Sequence, residues 1–69
     1  MKFKLEIDCA HPTFRDPDAP EQNDMARNSE IARILRATAD KIEADAFLRV
    51  YLHDRDGVVV VGLAEFFPE

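Results

Sequence analysis

From Lys2 to Cys9 apolar and charged residues alternate without a break: Phe3, Leu5, Ile7 and Cys9 against Lys2, Lys4, Glu6 and Asp8. A period of two places each set on its own face of an extended chain, so residues 2–9 are predicted to form a strand with one apolar face. From Ile31 the period changes. Turning about 100° per residue, Ile31, Ile34, Leu35, Thr38 and Ile42 fall in one arc of a helix, with Arg33, Arg36, Asp40 and Glu43 opposite and Glu30, Ala37 and Lys41 on a flank. Neither Pro nor Gly interrupts residues 29–45, which are rich in good helix formers, and the spacing predicts a helix over 28–45 capped by Asn28 or Ser29. A second start signal, Asp18 with Pro20 and Glu21, competes with it. Extending the stripe backwards reaches only Asn28, Arg27 and Asp24, which favours the later start.

Between these elements, residues 10–27 form an irregular connector broken by Pro12, Pro17 and Pro20. Phe14 is its only aromatic residue. The reading favours a solvated connector with Phe14 tucked onto the edge of the core over a binding loop. After the helix, residues 47–53 read as a second strand, residues 54–57 (Asp54-Arg55-Asp56-Gly57) as a hairpin turn with Gly57 left-handed, and residues 58–67 as a third strand. That turn would set Leu52 opposite Val60 and Val50 opposite Gly62. Val58 to Val61 are four consecutive valines, apolar on both faces, which suits a central strand. The predicted fold is therefore α+β, one domain with a three-stranded sheet in β-α-β-β topology, order 1-3-2, the third strand central and one helix on one face.

One helix covers one face. With Leu48, Val50, Leu52, Val60 and Phe66 turned to the helix, Phe47, Tyr51, Val59, Val61 and Leu63 become the candidate interface on the uncovered face, a patch suited to a second copy or to another protein. Sixty-nine residues form a small core, which a self-partner would reinforce.

Composition narrows the alternatives. Fourteen acids against nine bases give a net charge of −5, which disfavours broad affinity for nucleic acid or anionic membranes. Arg27, Arg33 and Arg36 on the exposed side of the helix remain candidate nucleic-acid contacts. One Cys excludes an internal disulfide, and no apolar run has signal-peptide or membrane-span length, so a cytoplasmic location without a membrane partner is expected.

Chemistry is sparse. Cys9, His11 and His53 could supply three metal ligands, but the usual zinc spacings are missing and no metal site is assigned. The same residues with an Asp do not amount to a nucleophilic set with an orienting partner and oxyanion donors, so no catalytic residue is assigned either. Asp54-Arg55-Asp56-Gly57 opens like a calcium loop yet lacks the later ligands and the closing acid. With only Gly57 and Gly62 there is no phosphate cradle, and no cofactor is expected.

Three pieces of the chain, Leu5-Glu6-Ile7-Asp8, Glu30 to Arg36 with Lys41-Ile42-Glu43, and Asp54-Arg55-Asp56-Gly57 with Val61-Gly62, resemble a group of short uncharacterised proteins encoded in phage, prophage and bacterial genomes. The resemblance implies a small accessory protein and carries no activity or site residues. The expected function is that of a non-enzymatic protein-interaction or accessory domain, self-associating as a homodimer through the uncovered sheet face. The alternatives are a nucleic-acid-binding accessory factor using the helix arginines and a small metal-binding domain.

Overall fold

The computed structural model describes residues 1–44 and 47–68. Its elements run β1 (Lys2–Ile7), two short 3-10 turns (Pro12–Phe14 and Pro20–Gln22), α1 (Asn23–Ala44), β2 (Arg49–His53) and β3 (Val60–Phe67). β3 lies between β1 and β2 and is antiparallel to both, giving the order β1-β3-β2 of a β-α-β-β, α+β fold. In β1 the alternation decides the faces as expected. Leu5, Ile7 and, just beyond the strand, Cys9 pack against the core, while Lys2, Lys4 and Glu6 are exposed.

The helix begins at Asn23, five residues ahead of Asn28. The earlier signal is the one used: Pro20 opens a 3-10 turn that runs directly into α1, and the Asn23 carboxamide oxygen accepts the Asp16 N–H at 3.0 Å. The leading turns need no apolar stripe because they lie against the connector rather than the sheet, and Met25 stays exposed. The expected helix end at Asp45 lies outside the described residues.

Burial along α1 is also rotated. Its buried residues are Glu30, Ile34 and Thr38, with Ile31 half-buried, whereas Leu35 and Ile42 are exposed. At 100° per residue the inward line is turned by roughly 50° from the centre of the apolar arc, toward the flank that carries Glu30. The connector explains the turn. Phe14, only 2 % exposed, is the largest apolar side chain in the core and packs with Ile34, Leu52, Val61 and Ala64. The connector is thus a part of the core, not a solvated strap at its edge.

The hairpin differs most from expectation. Asp54 Oδ1 accepts the backbone N–H groups of Val58 at 2.8 Å and Val59 at 3.1 Å, and the Asp54 N–H donates to the Val59 carbonyl at 3.0 Å. A carboxylate that gathers these donors removes Val58 and Val59 from the ladder, so β3 starts at Val60 and residues 54–59 form the loop. Gly57 takes φ 73° within it, as the left-handed position requires. Leu52 then pairs with Gly62 and Val50 with Ala64, while His53 pairs with Val60. Between those pairs Val61 is an extra residue on β3, a β-bulge. The bulge exchanges two valines: Val61, expected on the open face, is 4 % exposed in the core, and Val60, expected against the helix, is exposed. Leu48, also expected under the helix, is exposed as well.

Candidate functional site

The open face of the sheet is built by alternation. Lys2, Lys4 and Glu6 of β1, Val60, Leu63, Glu65 and Phe67 of β3, and Arg49, Tyr51 and His53 of β2 share it, since their neighbours Leu5, Ala64, Val50 and Leu52 belong to the core. Tyr51 sits opposite Leu63, which sits opposite Glu6. Together with Val60 and Asp8 they line a shallow depression. At the other end Arg49 binds Glu65 through Nη2 at 2.6 Å and Nε at 3.1 Å, and Lys4 Nζ lies 5.6 Å from the centre of the Phe67 ring. The Glu65 carboxylate raises the Arg49 pKa above its ordinary value, with the Tyr51 hydroxyl adding to it. The face is thus an apolar strip, Val60–Leu63–Tyr51, bordered by charges.

Of the five expected interface residues, Tyr51 and Leu63 stand on this face, with Tyr51 51 % exposed and Leu63 half-buried. Val61 and Phe47 do not, and Val59 is exposed in the loop ahead of β3. Val61 is core because of the bulge, Val59 belongs to the loop whose N–H Asp54 holds, and Phe47 packs its ring 5.8 Å from that of Phe66 on the opposite side of the sheet. Sequence alternation missed Val60 because it counted register without a bulge.

A second polar constellation joins connector, helix and hairpin. Glu30 is 1 % exposed and wholly satisfied: Thr13 donates its hydroxyl to Oε2 at 2.5 Å, Arg33 donates Nε to Oε1 at 2.5 Å and Nη2 to Oε2 at 3.1 Å, and Arg55 Nη2 lies 3.9 Å from Oε1. The Arg33 hydrogen bond chiefly lowers the Glu30 pKa, against the opposing effect of burial, and the same bond raises that of Arg33. Arg33 Nη2 also donates to the His53 carbonyl at 3.1 Å. Nearby, buried Asp54 is held below the usual carboxylate range, first by the Val59 N–H and then by Val58, with His11 adding a favourable charge. His11 Nδ1 accepts the Thr13 N–H at 2.9 Å, while Nε2 lies 3.8 Å from Asp54 Oδ2. These bonds tie the connector, helix and hairpin together and order the loop, while His11, Thr13, Asp54 and Arg55 also line a cleft at its outer side.

The remaining candidates are dispersed. Cys9 packs at the margin of the core, His11 caps the first 3-10 turn and His53 is exposed on β2. Among the described residues no three His, Cys, Asp or Glu side chains gather around a common point suited to a metal. Of the helix arginines, Arg33 is engaged by Glu30 and His53, Arg27 Nη1 pairs with Asp24 at 3.3 Å, and Arg36 is exposed. No helix among the described residues is long and apolar enough to cross a membrane. Compared with known proteins, the chain matches no family model, no curated protein and no solved structure.

Burial of Glu30 carried no local sequence signal, since Thr13 is 17 residues away and Glu30 sits on the flank of an otherwise regular apolar arc. Asp54 had one: an Asp three residues ahead of a Gly in a turn is a ready acceptor for the N–H groups that follow.

Proposed function

We propose that this protein is a non-enzymatic interaction domain that works as a homodimer, two copies stacking the open faces of their sheets. The observation that carries the reading is an apolar strip on the face of the sheet that the helix leaves open. Its β1 row runs from two cations, Lys2 and Lys4, to two anions, Glu6 and Asp8, beside the apolar strip of Val60, Leu63 and Tyr51. A two-fold axis through the strip brings Val60, Leu63 and Tyr51 of the two copies together.

Surface area supports it. A globular chain of 7.9 kDa exposes roughly 4,400 Å², whereas this one exposes 5114 Å² and extends 44 × 20 × 18 Å. The difference is of the order of the roughly 800 Å² that each partner loses in a standard interface. An accessory role of the kind implied by the resemblance to phage and bacterial β-α-β-β proteins fits such a module. A reducing cytoplasm suits the single thiol of Cys9.

Sedimentation equilibrium tests the proposal. The native chain is expected at twice its 7.9 kDa mass and Leu63→Lys at the monomer mass with an unchanged circular dichroism spectrum. A native protein that stays monomeric at millimolar concentration overturns it. Val61→Lys is unsuited to the purpose, because it would place a charge in the core.

A further inference from the structure

β2 is an edge strand, and its free side borders a cleft. The Phe66 N–H donates to the Leu48 carbonyl at 2.8 Å, which fixes the phase of the ladder. Val50 and Leu52 therefore aim their N–H and C=O groups at β3, while Arg49 and Tyr51 aim theirs away from the sheet. Beside this edge, on the helix side, α1 and β2 enclose a cleft of about 240 Å³ with Ile34, Val50 and Leu52 on its floor and Ala37 on its wall. That is smaller than the roughly 300–1,000 Å³ of a small-molecule site and suits the side chains of a docked segment.

The side chains lining the cleft carry a net positive charge, Arg33, Lys41 and Arg55 against Asp54. Lys41 and Arg55 line the cleft, and the Arg49 and His53 side chains flank the strand on its other face, Arg49 shared with Glu65. The carboxylate at the cleft, Asp54, is turned inward to the Val58 and Val59 N–H groups, and Glu30 is neutralised by Arg33. A basic rim on a chain of net charge −5 is a local feature that selects its partner.

The geometry points to the β2 edge as the docking site of an extended peptide in which acidic and aliphatic residues alternate. The peptide adds a fourth strand through the backbone groups of Arg49 and Tyr51. Its aliphatic side chains enter the cleft, and its acids stand on the other face beside Arg49, where opposite charges on neighbouring strands attract. The strand edge and the cleft lie beside the open face, so the proposal does not depend on self-association.

The probe is fluorescein-labelled acetyl-Glu-Val-Glu-Val-Glu-amide, with acetyl-Lys-Val-Lys-Val-Lys-amide as the charge-reversed control, followed by fluorescence anisotropy at low and high salt. The acidic peptide is expected to bind at least about tenfold more tightly, a difference of about 1.4 kcal/mol. Ala37→Trp, at an exposed position on the cleft wall, should weaken binding at least about tenfold with an unchanged melting curve. Lys41→Glu should narrow the preference between the two peptides. In the complex the Tyr51 amide should gain protection from hydrogen exchange, since only a strand added at the edge can cover it. Leu63→Lys, the monomer of the sedimentation test, should still bind the acidic peptide, so failure of dimerisation and failure of docking are read separately. Equal binding of the two peptides, no binding of the acidic one, or full affinity in Ala37→Trp overturns the proposal.

Discussion

At the scale of single residues, two positions control more of the structure than their size suggests. Glu30 is a fully buried carboxylate whose charge is met by Arg33 and whose second oxygen accepts the Thr13 hydroxyl. Its pKa is lowered in the folded chain, so the unfolded chain takes up a proton first as pH falls. The stability it contributes is present above the ordinary carboxylate range and is lost as pH drops through the lowered folded value. Glu30→Gln keeps the shape and removes the charge. It should cost about 2 kcal/mol at pH 7, and the gap from the native protein should close below the carboxylate range in urea melts run across pH. Gly62 is the second such position. A Cβ there would run into the backbone carbonyl of Glu6 on β1, and backbone cannot step aside as a flexible side chain can. Gly62→Ala should therefore destabilise by about 1–3 kcal/mol, the usual cost of overpacking, as read from denaturant midpoints. By sequence alone Gly62 either lets the helix approach the sheet closely or marks a bulge, and a bulge does stand beside it at Val61. The approaching element is β1, because Ile7 pairs with Gly62 in the register.

Among the elements, the connector is the one whose role changes most. Its prolines prevent regular pairing, yet Pro12 and Pro20 each open a 3-10 turn and Phe14 fills the space between α1 and the sheet. Truncating Phe14 removes a buried aromatic ring, a change that costs about 3–5 kcal/mol in well-packed cores. Phe14→Ala should lower stability by that order and should also expose residues 12–22 to hydrogen exchange and proteolysis before the sheet opens. If the connector were a solvated strap, both effects would be small. The helix shows a related trade. Its apolar arc predicts Leu35 and Ile42 as core, but the connector supplies Phe14 and Thr13 on one flank only, and α1 turns that flank inward.

On the scale of the whole molecule, the expected excess of apolar surface is real but redistributed. The open face keeps Tyr51 and Leu63, loses Val61 to the core, and gains Val60 in its place. A ligand that binds only the folded state raises apparent stability, and in the proposed dimer that ligand is a second copy of the protein. The melting temperature of the native chain should therefore rise with protein concentration, whereas that of Leu63→Lys should be independent of it. Differential scanning calorimetry over a hundredfold concentration range would distinguish the two, and a flat native profile would contradict the dimer.

The sequence by itself determined the elements and their order. A strict period of two wrote β1, a period of 3.6 without helix breakers wrote the body of α1, and four valines in a row marked β3 as the strand with a neighbour on each side. These are local properties, in which each residue acts through its own backbone and its nearest neighbours. Only the tertiary structure decided which valine faces inward, where the helix turns its buried line, and that the connector enters the core. Those outcomes depend on polar groups far apart in the chain finding one another: the Asp54 carboxylate removing two N–H groups from a ladder, and Thr13, Arg33 and Arg55 converging on Glu30. A hydrophobic pattern records what prefers to leave water, and it is blind to a charge that becomes cheap to bury only once its partners have been brought to it.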